Sequence, residues 1–169
     1  MFQLRPYESS DAPAILSWVS DETAFYKWSA GRLGPWPVTA KDFDHYYRSH
    51  PEILPFTMTD ENGVAGHLLL RWPTDDKTTL RLGFIMVDGA RRGQGLGQTM
   101  LRLALRHAFS ELGGERITLG VFDNNPPARR CYEALGFRHN PAADETYELP
   151  GGLRWSCTDM ILEKADFAE

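Results

Sequence analysis

Apolar and polar residues alternate over Phe2 to Arg5, which predicts a short first strand, and Ser10 or Asp11 stands where a helix running to about Val19 needs its cap. From Ser20 to Val38 no period is kept; the stretch is rich in Gly, Pro and aromatic residues and is expected to be irregular. Thr39 and Asp42 have the spacing of a capping box in its shorter acidic form, opening a helix that ends near His50. Three strands should follow, Pro55 to Thr59, Val64 to Arg71 and Thr79 to Val87, with Asn62-Gly63 marking one tight turn and Pro73 to Asp76 another. That order reads as an antiparallel meander.

Beyond it, Met100, Leu101, Leu103, Leu105, Ala108, Phe109 and Leu112 recur at steps of three and four. This predicts a helix of about 17 residues from Leu96 to the Gly113-Gly114 stop. Arg116 to Phe122 reads as a strand, Pro127 to Leu135 as a short helix with Pro in its first turn, and Phe137 onward and Leu153 to Glu163 as two last strands. The expected class is α/β, an α+β mixed sheet of about seven strands and four helices. The strand, helix, strand unit over residues 80 to 122 requires a parallel pair with a right-handed crossover.

With 169 residues, 42% of them hydrophobic and 24% charged, one compact domain over residues 1–169 is expected. No apolar run has the length of a membrane span, and the start, MFQLRPYESSDAPAIL, lacks the basic and apolar regions of a secretory signal, so the default expectation is a cytoplasmic protein without membrane contact. Cys131 and Cys157 make no disulfide framework and have no metal-ligand spacing with histidines, so no metal is expected. The net charge of −5 is unevenly spread: Arg91 to Arg138 has a balance of +4 and the remainder −9. The basic part would favour a phosphate-rich ligand. The acidic remainder argues against a nucleic-acid partner and would tolerate a cationic amine.

The basic part contains Arg92-Gly93-Gln94-Gly95-Leu96-Gly97, set between a strand and a helix start. Unpaired N–H groups and the positive end of the helix dipole make such a junction a phosphate or pyrophosphate site. A dinucleotide fold needs G-x-G-x-x-G, but Gln98 stands at its third glycine; a P-loop needs a Lys after the glycines, and none follows. Downstream, Asn125, Ala128, Tyr132, Gly136 and Phe137 follow the strand that partners the first.

Together the two segments resemble the GNAT superfamily of acyl-CoA-dependent N-acyltransferases. Arg92, Gly95 and Gly97 fill its [RQ]-x-x-G-x-[GA] motif, and Asn125, Ala128, Tyr132, Gly136 and Phe137 fill N-x-x-A-x-x-x-Y-x-x-x-G-F. The LRLGF and WSCTDMILEK segments further resemble the branch containing ribosomal-protein N-acetyltransferases. The resemblance implies a GNAT-like domain whose central parallel pair splays apart, with acetyl-CoA as co-substrate and direct transfer of the acetyl group to a primary amine through a tetrahedral intermediate. The backbone of Arg92, Gly93, Gln94, Gly95, Leu96 and Gly97 would wrap the pyrophosphate, where a Cβ would block close approach. Met86 and Val87 would pair with the pantetheine arm, one N–H near them facing the oxyanion, an effect worth about 3 kcal/mol in other enzymes. Asn125 would bond the same arm, or else cap the helix that follows it. Tyr132 would protonate the departing thiolate, or else simply pack a helix on the sheet.

The family often carries a Glu general base where Arg81 stands here, and an Arg cannot accept a proton at working pH. The base would then be a water chain or a residue such as Glu22, Asp75 or His67, of which His67 reads rather as a structural strand residue; alternatively Arg81 binds an anionic part of the acceptor. Phe25, Tyr26, Trp28 and Trp36 would either enclose a ligand or close a small core. The acceptor, a small-molecule amine or a protein N-terminus, stays open, as does monomer against homodimer. Against the enzyme stands a non-catalytic acyl-CoA-binding sensor.

Overall fold

The computed structural model describes residues 1–169. Eight strands form one mixed sheet: β1 (Gln3–Pro6), β2 (Leu54–Asp60), β3 (Gly63–Arg71), β4 (Thr79–Val87), β5 (Arg116–Phe122), β6 (Arg138–His139), β7 (Glu145–Leu149) and β8 (Leu153–Glu163). Five α-helices accompany them: α1 (Ala12–Ser17), α2 (Glu22–Ser29), α3 (Ala40–Ser49), α4 (Leu96–Ser110) and α5 (Pro126–Ala134). The sheet runs β1-β2-β3-β4-β5-β8-β6, with β7 also paired to β8.

The meander and the parallel β4–β5 pair match the sequence reading. Two elements exceed it. Helix α2 lies in the stretch expected to be irregular, started by Asp21, whose side chain accepts from the Ala24 amide at 2.8 Å. Its Phe25, Tyr26 and Trp28 are all buried, so no polar face marks a helical period. Strand β7 is short and mostly exposed, and only Tyr147 and Leu149 turn inward, too few alternate positions to mark it. Helix α1 is shorter than expected, and Asp11 makes no side-chain cap bond to it because its carboxylate is held by Arg5 and Thr57. Thr39 and Asp42 form the reciprocal capping box at 3.1 and 2.9 Å, and α4 has 15 residues, two fewer than expected, because its end widens: the Glu111 and Leu112 amides both donate to the His107 carbonyl and Gly114 donates back to Ala108.

Alternate residues of the central strands supply two cores, as the pleat requires. Leu68, Leu70, Leu80 and Leu82 face α4, where Met100, Leu101, Ala104, Leu105 and Ala108 are buried. Leu69 and Phe84 face the other way, against Phe25, Trp28, Phe43 and Tyr47 of α2 and α3. Phe25 packs on Tyr26, Trp28 and Trp36 with ring centroids 5.3–6.3 Å apart. The aromatic group of residues 25 to 36 therefore closes a core, with Trp28 alone of the four reaching the cleft described below.

One irregularity positions that cleft. His67 pairs with Met86 but Leu69 pairs with Gly83, so Phe84 and Ile85 of β4 oppose the single residue Leu68. Phe84 takes φ +50°, a conformation that costs a non-glycine residue about 1–3 kcal/mol and persists only where its surroundings hold it. The Trp28 indole N–H donates to the Phe84 carbonyl at 2.8 Å in a buried bond. We expect Trp28→Phe to leave that carbonyl unsatisfied and to lower the unfolding free energy by about 1–3 kcal/mol in urea denaturation. An unchanged midpoint would show that the bulge holds itself.

Candidate active site

Strands β4 and β5 pair over three residues only, Thr79 with Arg116, Leu80 with Ile117 and Arg81 with Thr118. Beyond that point they diverge, and a cleft of about 240 Å³ opens between them. Six consecutive β4 residues, Leu82 to Val87, line it from one side, and Gly120, Val121 and Phe122 of β5 from the other. A strand lined along its whole length, rather than at alternate positions, is one whose edge as well as its face borders the space.

The cleft has two sides of different chemistry. On the side of α4 and α5 stand Gly97, Leu101, Asn125, Ala128, Cys131 and Tyr132. Burial raises the phenol of Tyr132 and the thiol of Cys131 above their ordinary values, keeping both protonated. Asn125 precedes α5, yet its side chain makes no cap bond. Just before Gly97, Gly95 forms the first boundary of α4 in a left-handed conformation, φ +68°, and no side chain caps the helix. The first bond back into the helix is from the Thr99 amide to the Gly95 carbonyl at 3.0 Å, which leaves the earlier amides free for an anion.

Of the residues predicted for the cofactor and the chemistry, Met86, Val87, Gly97, Asn125 and Tyr132 line the cleft together. Arg92, Gly93, Gln94 and Gly95 do not line it; they are exposed in the loop that precedes Gly97. The Leu96 side chain is buried in the α4 core, so only its backbone is available to a ligand. Arg91 anchors this loop through an ion pair with Asp60 at 2.5 Å.

On the opposite side, toward α2, stand Lys27, Trp28, Arg32, Arg71, Arg81 and Tyr147. Arg81 reaches across β5 to bond Asp159 of β8 at 2.8 Å and Thr118 at 3.1 Å. Gly120 makes room for this reach, since a Cβ there would lie 3.0 Å from the Arg81 guanidinium. Asp159 is also held by the Asn140 amide at 3.0 Å and is nearly buried.

No Asp, Glu or His lines the cleft. Two of the base candidates named from the sequence, Glu22 and Asp75, are exposed on the first turn of α2 and in the β3–β4 turn. His67 is fully buried among Tyr7, Phe43 and Tyr47, its Nε2 2.7 Å from the Tyr47 hydroxyl, and burial drops its pKa to about 3. It is a neutral structural residue, as its place in the strand suggested. The acidic surplus outside residues 91–138 does not face the cleft, so it gives no welcome to a cationic amine there. No helix is long and apolar enough to cross a membrane.

Comparison with known proteins agrees with this architecture. The chain superposes on the spermidine N-acetyltransferase of Vibrio cholerae, solved in complex with CoA and spermine, with a TM-score of 0.79 over 98% of this chain and 96% of that one, at 19% identity, which speaks to the fold. Among sequences, it is 32% identical to N-acetylaspartate synthetase of Rattus norvegicus over 114 residues, 65% of this chain and 36% of that protein. It is 30% identical to a spermine/spermidine N(1)-acetyltransferase of Bacillus subtilis over 105 residues, 59% of this chain and 65% of that enzyme. The matched region thus spans about a third of the first relative and just under two thirds of the second. The family model described as Acetyltransferase (GNAT) domain matches residues 2–138, and the chain belongs to that family.

Proposed function

We propose that this protein is an acetyl-CoA-dependent N-acetyltransferase that moves the acetyl group directly to a primary amine, of a small molecule rather than a protein N-terminus. The observation that carries the reading is the divergence of β4 from β5 after Arg81, which opens a slot lined by strand backbone and leads to an uncapped helix start. Such a slot suits an extended, amide-rich arm, and the free amides of α4 suit a pyrophosphate. The residues present therefore fit coenzyme A: the backbone of Arg92 to Gly97 and the charge of Arg92 at its phosphates, with Met86, Val87 and Asn125 along its arm. When bound, acetyl-CoA supplies the thioester carbonyl that the amine attacks and the thiol that leaves.

The chain's own contribution is positioning and proton control. Tyr132, kept protonated by burial, holds a proton toward the cleft from the α5 side. Full transfer from a phenol of pKa 10 or above to a thiolate of pKa about 8.5 is uphill by about 2 kcal/mol or more, so Tyr132 would donate a hydrogen bond to the departing thiolate and keep its own proton, the thiolate being protonated by solvent. The two cleft thiols are no nucleophiles. Burial raises Cys131 and pushes Cys157 up to about 11, and no imidazole lines the cleft to activate either. Deprotonation of the acceptor falls to water, helped by the positive charge of Lys27, Arg32 and Arg71, which disfavours an ammonium beside them.

The names of the relatives point to acceptors of opposite charge, an aspartate and a polyamine, and do not choose between them. A cleft without a carboxylate or imidazole base also suits an acyl-CoA-binding sensor. A thiol-release assay with acetyl-CoA over a panel of amines and peptide N-termini separates the two: release on an amine supports the enzyme, whereas tight acetyl-CoA binding without release on any acceptor would establish the sensor.

Two further outcomes are expected. Tyr132→Phe should lower kcat roughly a hundredfold or more while acetyl-CoA affinity, read by calorimetry, stays unchanged; unaltered turnover would remove Tyr132 from the chemistry. The pH profile of kcat/KM should rise between about pH 6 and 9 and follow the acceptor, so that two amines differing by one pKa unit give midpoints about one unit apart. The cleft's thiols and phenols, Cys131, Cys157, Tyr132 and Tyr147, are all shifted upward and do not titrate in that window. A limb that ignores the acceptor would reveal an enzyme base.

A further inference from the structure

The α2 side of the cleft carries four cationic side chains and no carboxylate, and their pairing is unequal. Arg81 is bound by Asp159 at 2.8 Å, so its charge is largely answered within the protein. Arg71 and Arg32 take part in none of the chain's ion pairs. Arg71 is moreover half-buried and lines the same side of the cleft as Arg32 and Arg81; burial first, and then those two like charges, disfavour its charged form. A half-buried guanidinium facing two others is unfavourable in the free protein, and an anion bound among them relieves it.

This cluster does not belong to the coenzyme. Arg71 pairs in register with Arg81 on the β3–β4 ladder, so both project from the same face of the sheet, the face of Leu69 and α2. The glycine loop follows Val87 at the far end of β4, six residues and roughly 20 Å beyond Arg81. The phosphate end and the arginine cluster thus lie at opposite ends of the cleft, with the bulge at Phe84 between them.

Resting on the acetyl-transfer reading above, we infer that the acceptor is a small amine bearing a carboxylate, which Arg71 and Arg32 bind bidentately while the amine points toward the bulge at Phe84. Arg71 and Arg32 are then specificity residues, selecting acidic or α-amino acids over polyamines. A polyamine placed on this side would meet Lys27 and three arginines with no carboxylate to answer it.

The test uses matched acceptors that differ in charge: L-aspartate and L-glutamate, their amides L-asparagine and L-glutamine, an aspartate-initiated tripeptide, and spermidine. Thiol release should favour the acidic amino acids over spermidine by about a hundredfold and over the tripeptide by about tenfold; Arg71→Gln should shrink the first preference about tenfold through KM. Arg32→Gln, at an exposed position where folding is not at risk, should shrink it in the same direction. Equal or better use of spermidine, or a preference untouched by both variants, would overturn the inference. If no acceptor releases thiol, the acyl-transfer reading fails on its own. The arginine site is then judged by titrating L-aspartate and spermidine into the CoA-saturated protein: aspartate binding weakened about tenfold by Arg71→Gln upholds it, and no aspartate binding, or spermidine binding as well, refutes it.

Discussion

The early parting of β4 and β5 is the constraint on which the rest of this structure depends. A parallel pair normally runs its full length, since every unpaired amide in the interior costs free energy. Here the ladder stops at Arg81 and Thr118, and each strand is kept in place by its other neighbour, β4 by β3 and β5 by β8. The bulge at Phe84 and Ile85 turns β4 away from β5, and the Trp28 bond to the Phe84 carbonyl locks the turn from the α2 side. The cleft is therefore made by backbone geometry rather than by missing side chains. Its walls are groups that a strand would have satisfied and a ligand can satisfy instead.

Arg81 sits where the two strands part, and its chemistry follows from that place. An unpaired guanidinium at the base of the fork would repel that of Arg71, its register partner. Asp159, reached across the gap that Gly120 leaves, answers that charge and ties β4 to β8 over the top of β5. The ion pair thus does for the fork what the absent β4–β5 hydrogen bonds cannot do, joining three strands through one side chain. Because Asp159 is consumed in this way and faces Arg81, it is no free base, and the positive charge left over belongs to Arg71, Arg32 and Lys27.

Much of this was legible in the sequence, and the illegible parts share a cause. The period of Met100, Leu101, Leu105 and Ala108 announced α4 because that helix buries one face and shows the other to water. The glycines of residues 93 to 97 and the Asn125 to Phe137 spacing announced the α4–α5 side of the cleft, since each need there is local: a left-handed turn, a helix start, a side chain two turns along a helix. Helix α2 was hidden because its aromatic residues are buried on more than one side, and β7 because it is a short, mostly exposed edge. Arg32, Arg71 and Arg81 lie 39 and 10 residues apart, and no period links them. Only the α2 packing and the β3–β4 register bring them together.

That contrast has a physical basis in what each end of the cleft would recognise in the proposed reaction. Phosphates and amides are met by backbone N–H groups, whose presentation is dictated by short-range conformation and so leaves a compact trace of glycines in the chain. An amine's own substituents are met by side chains, whose meeting depends on topology and leaves no trace of fixed spacing. Arg81, standing where the family resemblance leads one to expect a carboxylate base, is the one place where the two overlap: a single residue, visible in the sequence, that offers no base and consumes the nearest carboxylate, Asp159, in its own ion pair. With a base present, an acceptor can enter as its ammonium and be deprotonated in place. With a cluster of guanidinium groups instead, the ammonium form is disfavoured as the acceptor enters, and an anionic substituent supplies the attraction that brings it there. On the proposed reaction, absence of a base and choice of acceptor are then one electrostatic arrangement rather than two.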